Sequence, residues 1–304
     1  MKVIEHLQQA REPLISFEIV PPQRGSDFAR LEQTVAELAV FHPPFIDVTS
    51  HAARIDGRRK RPGTGGICTV IQHKYHIDAV PHVVCHGFTR KETEDFLIDL
   101  NGSGIQNVLA LRGDAVEPHQ LSPGQSRNEY AVDLVQQVAA LNQGICVDIL
   151  DVTVPTQFCI GVAGYPEKHH EARNMHADLH YLREKVRAGA DYIVTQMFFD
   201  NRHYFDFVKK CRNYGIDVPI IPGLKILTAS EQLASIPNTF YVEIPPALSQ
   251  PVYDAKDKKE VREIGIQWAV KQAEELFNHQ VPAVHFYVMG NSGPVSEVIG
   301  RLRR

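Results

Sequence analysis

Leu14-Ile15-Ser16-Phe17-Glu18-Ile19-Val20-Pro21-Pro22 is the stretch from which the fold is read. Its apolar, β-branched and aromatic residues read as a first strand, and two prolines stop it. Working outward, similar runs recur at 45–49, 80–85, 107–111, 158–163, 192–196, 220–224 and 283–287. Between them lie segments with helical spacing. In 31–40 the apolar residues Leu31, Val35, Leu38 and Ala39 form one stripe. Further helices are expected at 91–100, 131–141, 177–188, 204–214 and 261–277. Strand and helix alternate along the whole chain, which points to parallel βαβ units. Eight strands favour a closed (β/α)8 TIM barrel over an open doubly wound sheet. A strand-like piece at 240–244 is left over from that count. No repeat, low-complexity tract or linker interrupts the pattern, so residues 1–304 are expected to form a single barrel domain.

Composition narrows the class. The 304 residues are 43% hydrophobic and 22% charged, ordinary for a globular chain. The net charge of -4 and a pI near 6.4 leave no global basic field to gather nucleic acid. The basic run Arg58-Arg59-Lys60-Arg61 reads as a solvated loop or as a local attractor for an anionic ligand. Five cysteines with no CxxC spacing read as free thiols in a reducing compartment. No secretory leader and no apolar run long enough to span a bilayer are visible, so a cytoplasmic protein is expected, with no membrane partner.

Chemistry in such barrels sits at the C-terminal ends of the strands. Those ends carry Glu18, Thr49, His82, Asp114, Tyr165, Gln196 and Tyr287. Glu18 lies between Phe17 and Ile19, where lost hydration is expected to raise its pKa and keep a general acid protonated. A strand-end Glu turned to solvent or paired with a base is the bland alternative. Leu111-Arg112-Gly113-Asp114 offers a glycine for close backbone approach, a guanidinium fork and a carboxylate, or simply an internal Arg–Asp pair. The 15 histidines raise the question of a metal. Yet the first strand has no His-x-His pair, and His176 and His180 lack the glutamate of a zincin pattern. No metal is expected, and His82 reads as a hydrogen-bonding residue facing the mouth. No G-x-G-x-x-G, P-loop or nucleophile signature appears. From the residues alone the reading stops at a cytosolic barrel with carboxylates at its mouth.

Ten stretches taken together resemble the methylenetetrahydrofolate reductase family in its bacterial single-domain form. They are Ile15-Ser16-Phe17-Glu18-Ile19-Val20-Pro21-Pro22, Asp47-Val48-Thr49, Pro81-His82-Val83-Val84-Cys85, Ala110-Leu111-Arg112-Gly113-Asp114 and Tyr130-Ala131-Val132-Asp133-Leu134. Then come Gly164-Tyr165-Pro166-Glu167-Lys168-His169, Asp178-Leu179 through Lys185 to Ala188-Gly189-Ala190, Thr195-Gln196-Met197-Phe198-Phe199-Asp200, Ile221-Pro222-Gly223 and His285-Phe286-Tyr287. Each is weak alone; their order along the chain is not.

The resemblance implies FAD bound on a barrel without a Rossmann motif. It implies reduction of 5,10-methylenetetrahydrofolate to 5-methyltetrahydrofolate, with NADH or NADPH as donor, in a ping-pong sequence. Glu18 matches the family's proton donor, and Asp114 the carboxylate beside flavin and pterin. Gln196 matches the amide that meets nicotinamide and folate in turn, and Gln232 a further substrate amide. Tyr287 is counted with the substrate residues. Thr49, Ala52, His82, Arg112, Gly113, Ala131, Tyr165, His169, Ala172, Asp178 and Lys185 match positions that line the FAD. A homo-oligomer is also implied. The chain departs from the pattern at Ser50-His51, where many members have Tyr-Gly. It departs again at Tyr181 and Glu184, where Asn and Arg are better known, and at Asn291, where an Arg often helps hold the folate. The insertion at 54–62 is longer than in many members. A metal-dependent barrel hydrolase and a non-catalytic binding barrel are the competing readings.

Overall fold

The computed structural model describes residues 1–23, 25–50, 63–113, 124–148 and 153–302; Ala52, the basic run at 58–61 and Asp114 lie outside them. Eight parallel strands close into a barrel in sequence order. They are β1 (Leu14–Ile19), β2 (Phe45–Val48), β3 (Asp78–Val84), β4 (Asn107–Leu111), β5 (Cys159–Gly164), β6 (Tyr192–Met197), β7 (Ile220–Leu224) and β8 (Ala283–Tyr287). The helices are α1 (Val3–Gln9), α2 (Phe28–Ala39), α3 (Thr64–Lys74), α4 (Arg90–Gly102), α5 (Ala131–Leu141), α6 (Met175–Arg187), α7 (Asn201–Asn213), α8 (Gln232–Phe240), α9 (Pro246–Asp254), α10 (Lys258–Asn278) and α11 (Gly293–Leu302). No helix among the described residues is long and apolar enough to cross a membrane.

The alternation of side chains along each strand sorts the interior from the helix-facing shell. In β1, Phe17 and Ile19 belong to the large shell core, while Ser16 and Glu18 take the opposite face. In β2, Ile46 and Val48 face the shell; Phe45 joins the interior cluster. The floor of the barrel is apolar: Phe45, Val80, Leu109, Cys159, Tyr192, Val194, Ile221 and Ala283. Helix α1 covers it, inserting Val3 and accepting a clamp from below: the Val3 N–H donates to Asn107 Oδ1 at 2.8 Å. Above the floor the interior turns polar.

Two glycines make room for aromatic rings to cross that interior. A Cβ at Gly161 would lie 2.4 Å from the Tyr192 ring, and one at Gly223 would lie 2.7 Å from the Tyr287 ring. Strand β6 carries one extra residue against β7 between Val194 and Met197. Such a bulge re-aims side chains at a barrel rim. Here it turns Thr195 so that its hydroxyl oxygen accepts from Gly223 N at 2.9 Å, and its carbonyl accepts from the Tyr287 hydroxyl at 2.6 Å.

The expected extra strand at 240–244 is not one. Phe240 ends α8, Tyr241 caps it in the left-handed region at φ 56°, and Val242 drops into a satellite cluster with Met197, Phe199, Leu227, Ile236, Leu248, Val252 and Val261. The alternating Phe-Tyr-Val-Glu-Ile pattern reflects that packing rather than sheet pairing. Helix α10 lies so close to the β7–α8 segment that a Cβ at Gly265 would meet the Leu227 carbonyl oxygen at 1.7 Å. That contact, together with Trp268 Nε1 donating to Phe199 O at 2.9 Å, fixes the β7 side of the mouth.

Candidate active site

Strand β1 places Glu18 where its carboxyl points into the mouth, only 9% exposed. The Thr49 hydroxyl, just past β2, donates to Glu18 Oε1 at 2.7 Å. Glu18 Oε2 lies 3.6 Å from His82 Nε2 on β3 and 3.9 Å from His285 Nε2 on β8. His82 Nε2 also lies 3.7 Å from Asp47 Oδ2 on β2. Ser16 Oγ and His285 Nδ1 are 2.9 Å apart behind Glu18. Asp47, Ser16 and His285 are fully buried. Neither carboxylate oxygen of Asp47 has a hydrogen-bond donor among the described residues. Buried ionisable groups therefore face one another here across gaps slightly longer than hydrogen bonds.

The electrostatics correct the expectation for Glu18. Burial does raise its pKa, as an apolar strand position should. The charge of His82, together with His285 and Thr49, more than offsets this and brings it down to about 2. For His82 the balance runs the other way. Burial lowers its pKa, but the Glu18 charge and Asp47 outweigh that and leave it above its ordinary value. The electrostatics thus favour the proton on His82 and the carboxylate at Glu18.

A second group of expected residues gathers on the β4–β6 side. Lys185 of α6 buries its ammonium and donates to Ala163 O at 2.7 Å; burial lowers its pKa to about 8 against the opposing pull of Asp178. Asp178 Oδ2 accepts from His169 N at 2.8 Å. Burial depresses His169 to about 4, so this imidazole is neutral, and its ring packs edge-on against Tyr165 at 4.6 Å. Arg112 forms a fork to Glu171 at 2.6 and 2.7 Å. Gly113 adopts φ 84°, and a Cβ there would meet Val84 at 3.1 Å, so glycine is required on both counts. Ala131 opens α5, and Ala172 offers its carbonyl to Lys168 Nζ at 2.8 Å.

On the β6–β8 side, Gln196 Oε1 accepts from Met197 N at 2.9 Å. Gln232 Oε1 accepts from Thr228 N at 2.7 Å and Ala229 N at 3.0 Å. In both amides the oxygen is thereby taken by backbone N–H groups. The residues that the sequence reading did not single out are Asp47, His285, Ser16 and Glu171. Asp47 and His285 had a signal of the same kind as Glu18, a titratable residue inside an apolar strand.

Among the described residues, no group of three ligand-type atoms includes His176 or His180. The Tyr214 hydroxyl lies 2.6 Å from His176 Nδ1, and His170 stacks on Tyr241 at 4.5 Å. Among the described residues one group, Glu167, His203 and Glu243, has three ligand-type atoms within 4.8 Å. Its Glu167 Oε2 already accepts from Glu243 N at 2.7 Å.

Fold and site together define the class: a (β/α)8 barrel with a buried acid–imidazole cluster at the end of the strands where such barrels do chemistry. The chain belongs to the methylenetetrahydrofolate reductase family, whose sequence profile matches residues 2–303. Methylenetetrahydrofolate reductase 1 of Schizosaccharomyces pombe is 32% identical over 289 residues, 94% of this chain and 45% of that protein. The 5,10-methylenetetrahydrofolate reductase of Salmonella typhimurium is 33% identical over 280 residues, 91% of this chain and 86% of that protein. The chain thus spans less than half of the first relative and most of the second. Among solved structures, a protein from Clostridium thermocellum, described as binding two copies of 5-methyl-5,6,7,8-tetrahydrofolic acid, aligns with a TM-score of 0.64 at 12% identity, covering 97% of this chain and 96% of that one. That last likeness is one of fold.

Proposed function

We propose that this barrel reduces 5,10-methylenetetrahydrofolate to 5-methyltetrahydrofolate, using FAD and taking its reducing equivalents from NADH or NADPH in a ping-pong sequence. Family membership supports the reaction, and the buried Glu18 carboxyl at the mouth, next to a charged His82, carries the mechanism. FAD, held on this barrel, would supply the hydride chemistry between nicotinamide and folate. The residues of the β4–β6 side fit that cofactor. Lys185 and Arg112 are cations for its phosphates, Gly113 leaves backbone within reach, and neutral His169 and Tyr165 supply aromatic surface. Asp114, outside the described residues, keeps the role that the resemblance gives it beside flavin and pterin.

The remaining task is a proton. The methylene bridges two nitrogens and accepts hydride poorly until one nitrogen is protonated and the ring opens to an iminium. Glu18 is ionised in the unliganded site, so it must first gain a proton. His82 Nε2 holds one 3.6 Å away. Such contacts shorten when substrate binds. A pterin over the mouth excludes water from Glu18 and favours its neutral form. The proton then passes from His82 Nε2 to Glu18 Oε2 and on to the folate nitrogen. Asp47 stays behind, against the same imidazole. Gln196 offers its NH2 to nicotinamide and pterin in turn.

The test separates the half-reactions. Glu18→Gln keeps the shape and loses the acid. Flavin reduction by NADH or NADPH should stay within about threefold, while reoxidation by methylenetetrahydrofolate falls by roughly a thousandfold. Equal loss in both half-reactions would falsify the proton-donor role.

A further inference from the structure

The loop from the end of β5 to the start of α6 carries Tyr165, His169 and Ala172, and one lysine organises it. Lys168 adopts φ 82°, in the left-handed region that a residue with a Cβ rarely takes. Its ammonium folds back over the residues that follow. Nζ donates to His169 O at 2.8 Å, to Ala172 O at 2.8 Å and, over a longer contact, to His170 O at 3.4 Å. An ammonium has three donors and no acceptor, so converging carbonyls match it. A strained backbone persists only where its surroundings over-determine it, and such residues gather at functional sites.

What this clamp holds is His169. Its carbonyl accepts from Lys168 Nζ and also from Ala172 N at 3.0 Å, and its own N–H donates to Asp178 Oδ2 at 2.8 Å. The peptide groups on both sides of the residue are therefore fixed. Within the clamped turn, the Glu171 N–H donates to His169 Nδ1 at 3.2 Å. A backbone N–H only donates, so Nδ1 is the acceptor, and the proton of the neutral ring belongs to Nε2. Burial keeps that ring neutral by bringing its pKa down to about 4. His169 is thus set up as a single uncharged N–H donor.

We propose that Lys168 is a positioning residue for the flavin cofactor: by gathering the carbonyls of residues 169, 170 and 172 it holds His169, with its proton on Nε2, on the β4–β6 wall of the mouth. The inference rests on the FAD reading above. Lys168 acts through His169 and needs no contact with the cofactor.

The measurement is fluorescence titration of the apoprotein with FAD, paired with the melting temperature of the same apoprotein. Lys168→Met loses the clamp and keeps the left-handed strain. Lys168→Gly loses the clamp and sheds the strain, because glycine takes positive φ freely. Both should bind FAD about tenfold more weakly than the wild type, the size of a lost charge-assisted hydrogen bond. Lys168→Met should melt below Lys168→Gly, so affinity and stability part company. In Lys168→Gly, ammonium ions can enter the ring of carbonyls and should restore part of the lost affinity. Tetramethylammonium at the same concentration, which has no N–H to donate, should not. No loss in either variant, a loss that follows the melting temperature, or an equal response to the two ions would overturn the proposal. Wild-type apoprotein that does not take up FAD would sink the flavin reading itself. Wild type that binds FAD, beside variants that bind it equally well, would sink only the Lys168 assignment.

Discussion

The two sides of the barrel mouth hold charge in opposite ways. On the β4–β6 side the charges are tied down: Lys185 to a main-chain carbonyl at 2.7 Å, Asp178 to a main-chain N–H at 2.8 Å, Arg112 to both oxygens of Glu171. On the side formed by β1, β2, β3 and β8, the imidazoles stand 3.6 to 3.9 Å from the carboxylates, and Asp47 has no donor of its own among the described residues. Short bonds to backbone fix a geometry and suit a bound cofactor. Titratable groups that face one another across such gaps can exchange a proton without breaking the fold around them. The difference separates a holding region from a working one.

After that of Glu18→Gln, the largest expected effect comes from weakening the working region. Asp47→Asn keeps the volume and removes one of the two charges that hold His82 protonated. Reoxidation by folate should slow about tenfold to a hundredfold. Its alkaline limb should also move to lower pH, because His82 would give up its proton earlier. The stability profile follows from the same signs. Glu18, depressed from 4.5 to about 2, contributes stability that is present above 4.5 and lost as pH falls toward 2. His82, raised above 6.5, contributes stability present below 6.5 and lost as pH rises through its folded value. The pair therefore stabilises most between those two reference values. Asp47→Asn should weaken the alkaline dependence of the melting temperature and leave the acid side. A limb and a melting profile that do not move would take the proton off His82.

A smaller effect is expected in the holding region. Lys185→Met removes a buried ammonium and one of the two lysine charges that act on Asp178. FAD should bind about tenfold more weakly, close to the 1.5 kcal/mol of a charged hydrogen bond. The readout is flavin fluorescence on titration into apoprotein. With FAD saturating, the pH midpoint of folate reduction should match the wild type. A shifted midpoint would mean that the two regions are one electrostatic unit, and the contrast drawn above would fail.

Much of this contrast was legible in the sequence, and the limits have physical causes. The barrel followed from eight apolar runs, and β4, β7 and β8 fall where the pattern put them. Helix α3 was hidden by Gly65 and Gly66 in its first turn, and α8 and α9 by Pro237 and Pro251 inside them. Glu18 was found because a carboxyl in an apolar strand stands out. Its charge state was misjudged because that depends on His82 and His285, which the chain brings in from 64 and 267 residues away. Lys168 gave no signal, since a lysine in a polar loop resembles any surface lysine until the carbonyls around it are seen.

The smallest expected effect tests whether every charge in the holding region matters. Arg112 and Glu171 form a bidentate pair, but their side chains are 25% and 48% exposed. Solvent screens such pairs, and exposed bridges contribute about 0.5 kcal/mol. Arg112 holds the Glu171 carboxyl below its usual range, so the contribution exists above the ordinary carboxylate pKa and fades as pH falls. Glu171→Gln should therefore lower the melting temperature by no more than about 2 °C. Two consequences for FAD oppose each other. The guanidinium loses the fork that orients it, and it gains freedom to meet a phosphate. The net change in FAD affinity should stay within about threefold, far below that for Lys185→Met. A loss beyond tenfold would show that the fork is part of the cradle and that exposure at the rim does not mark where holding ends.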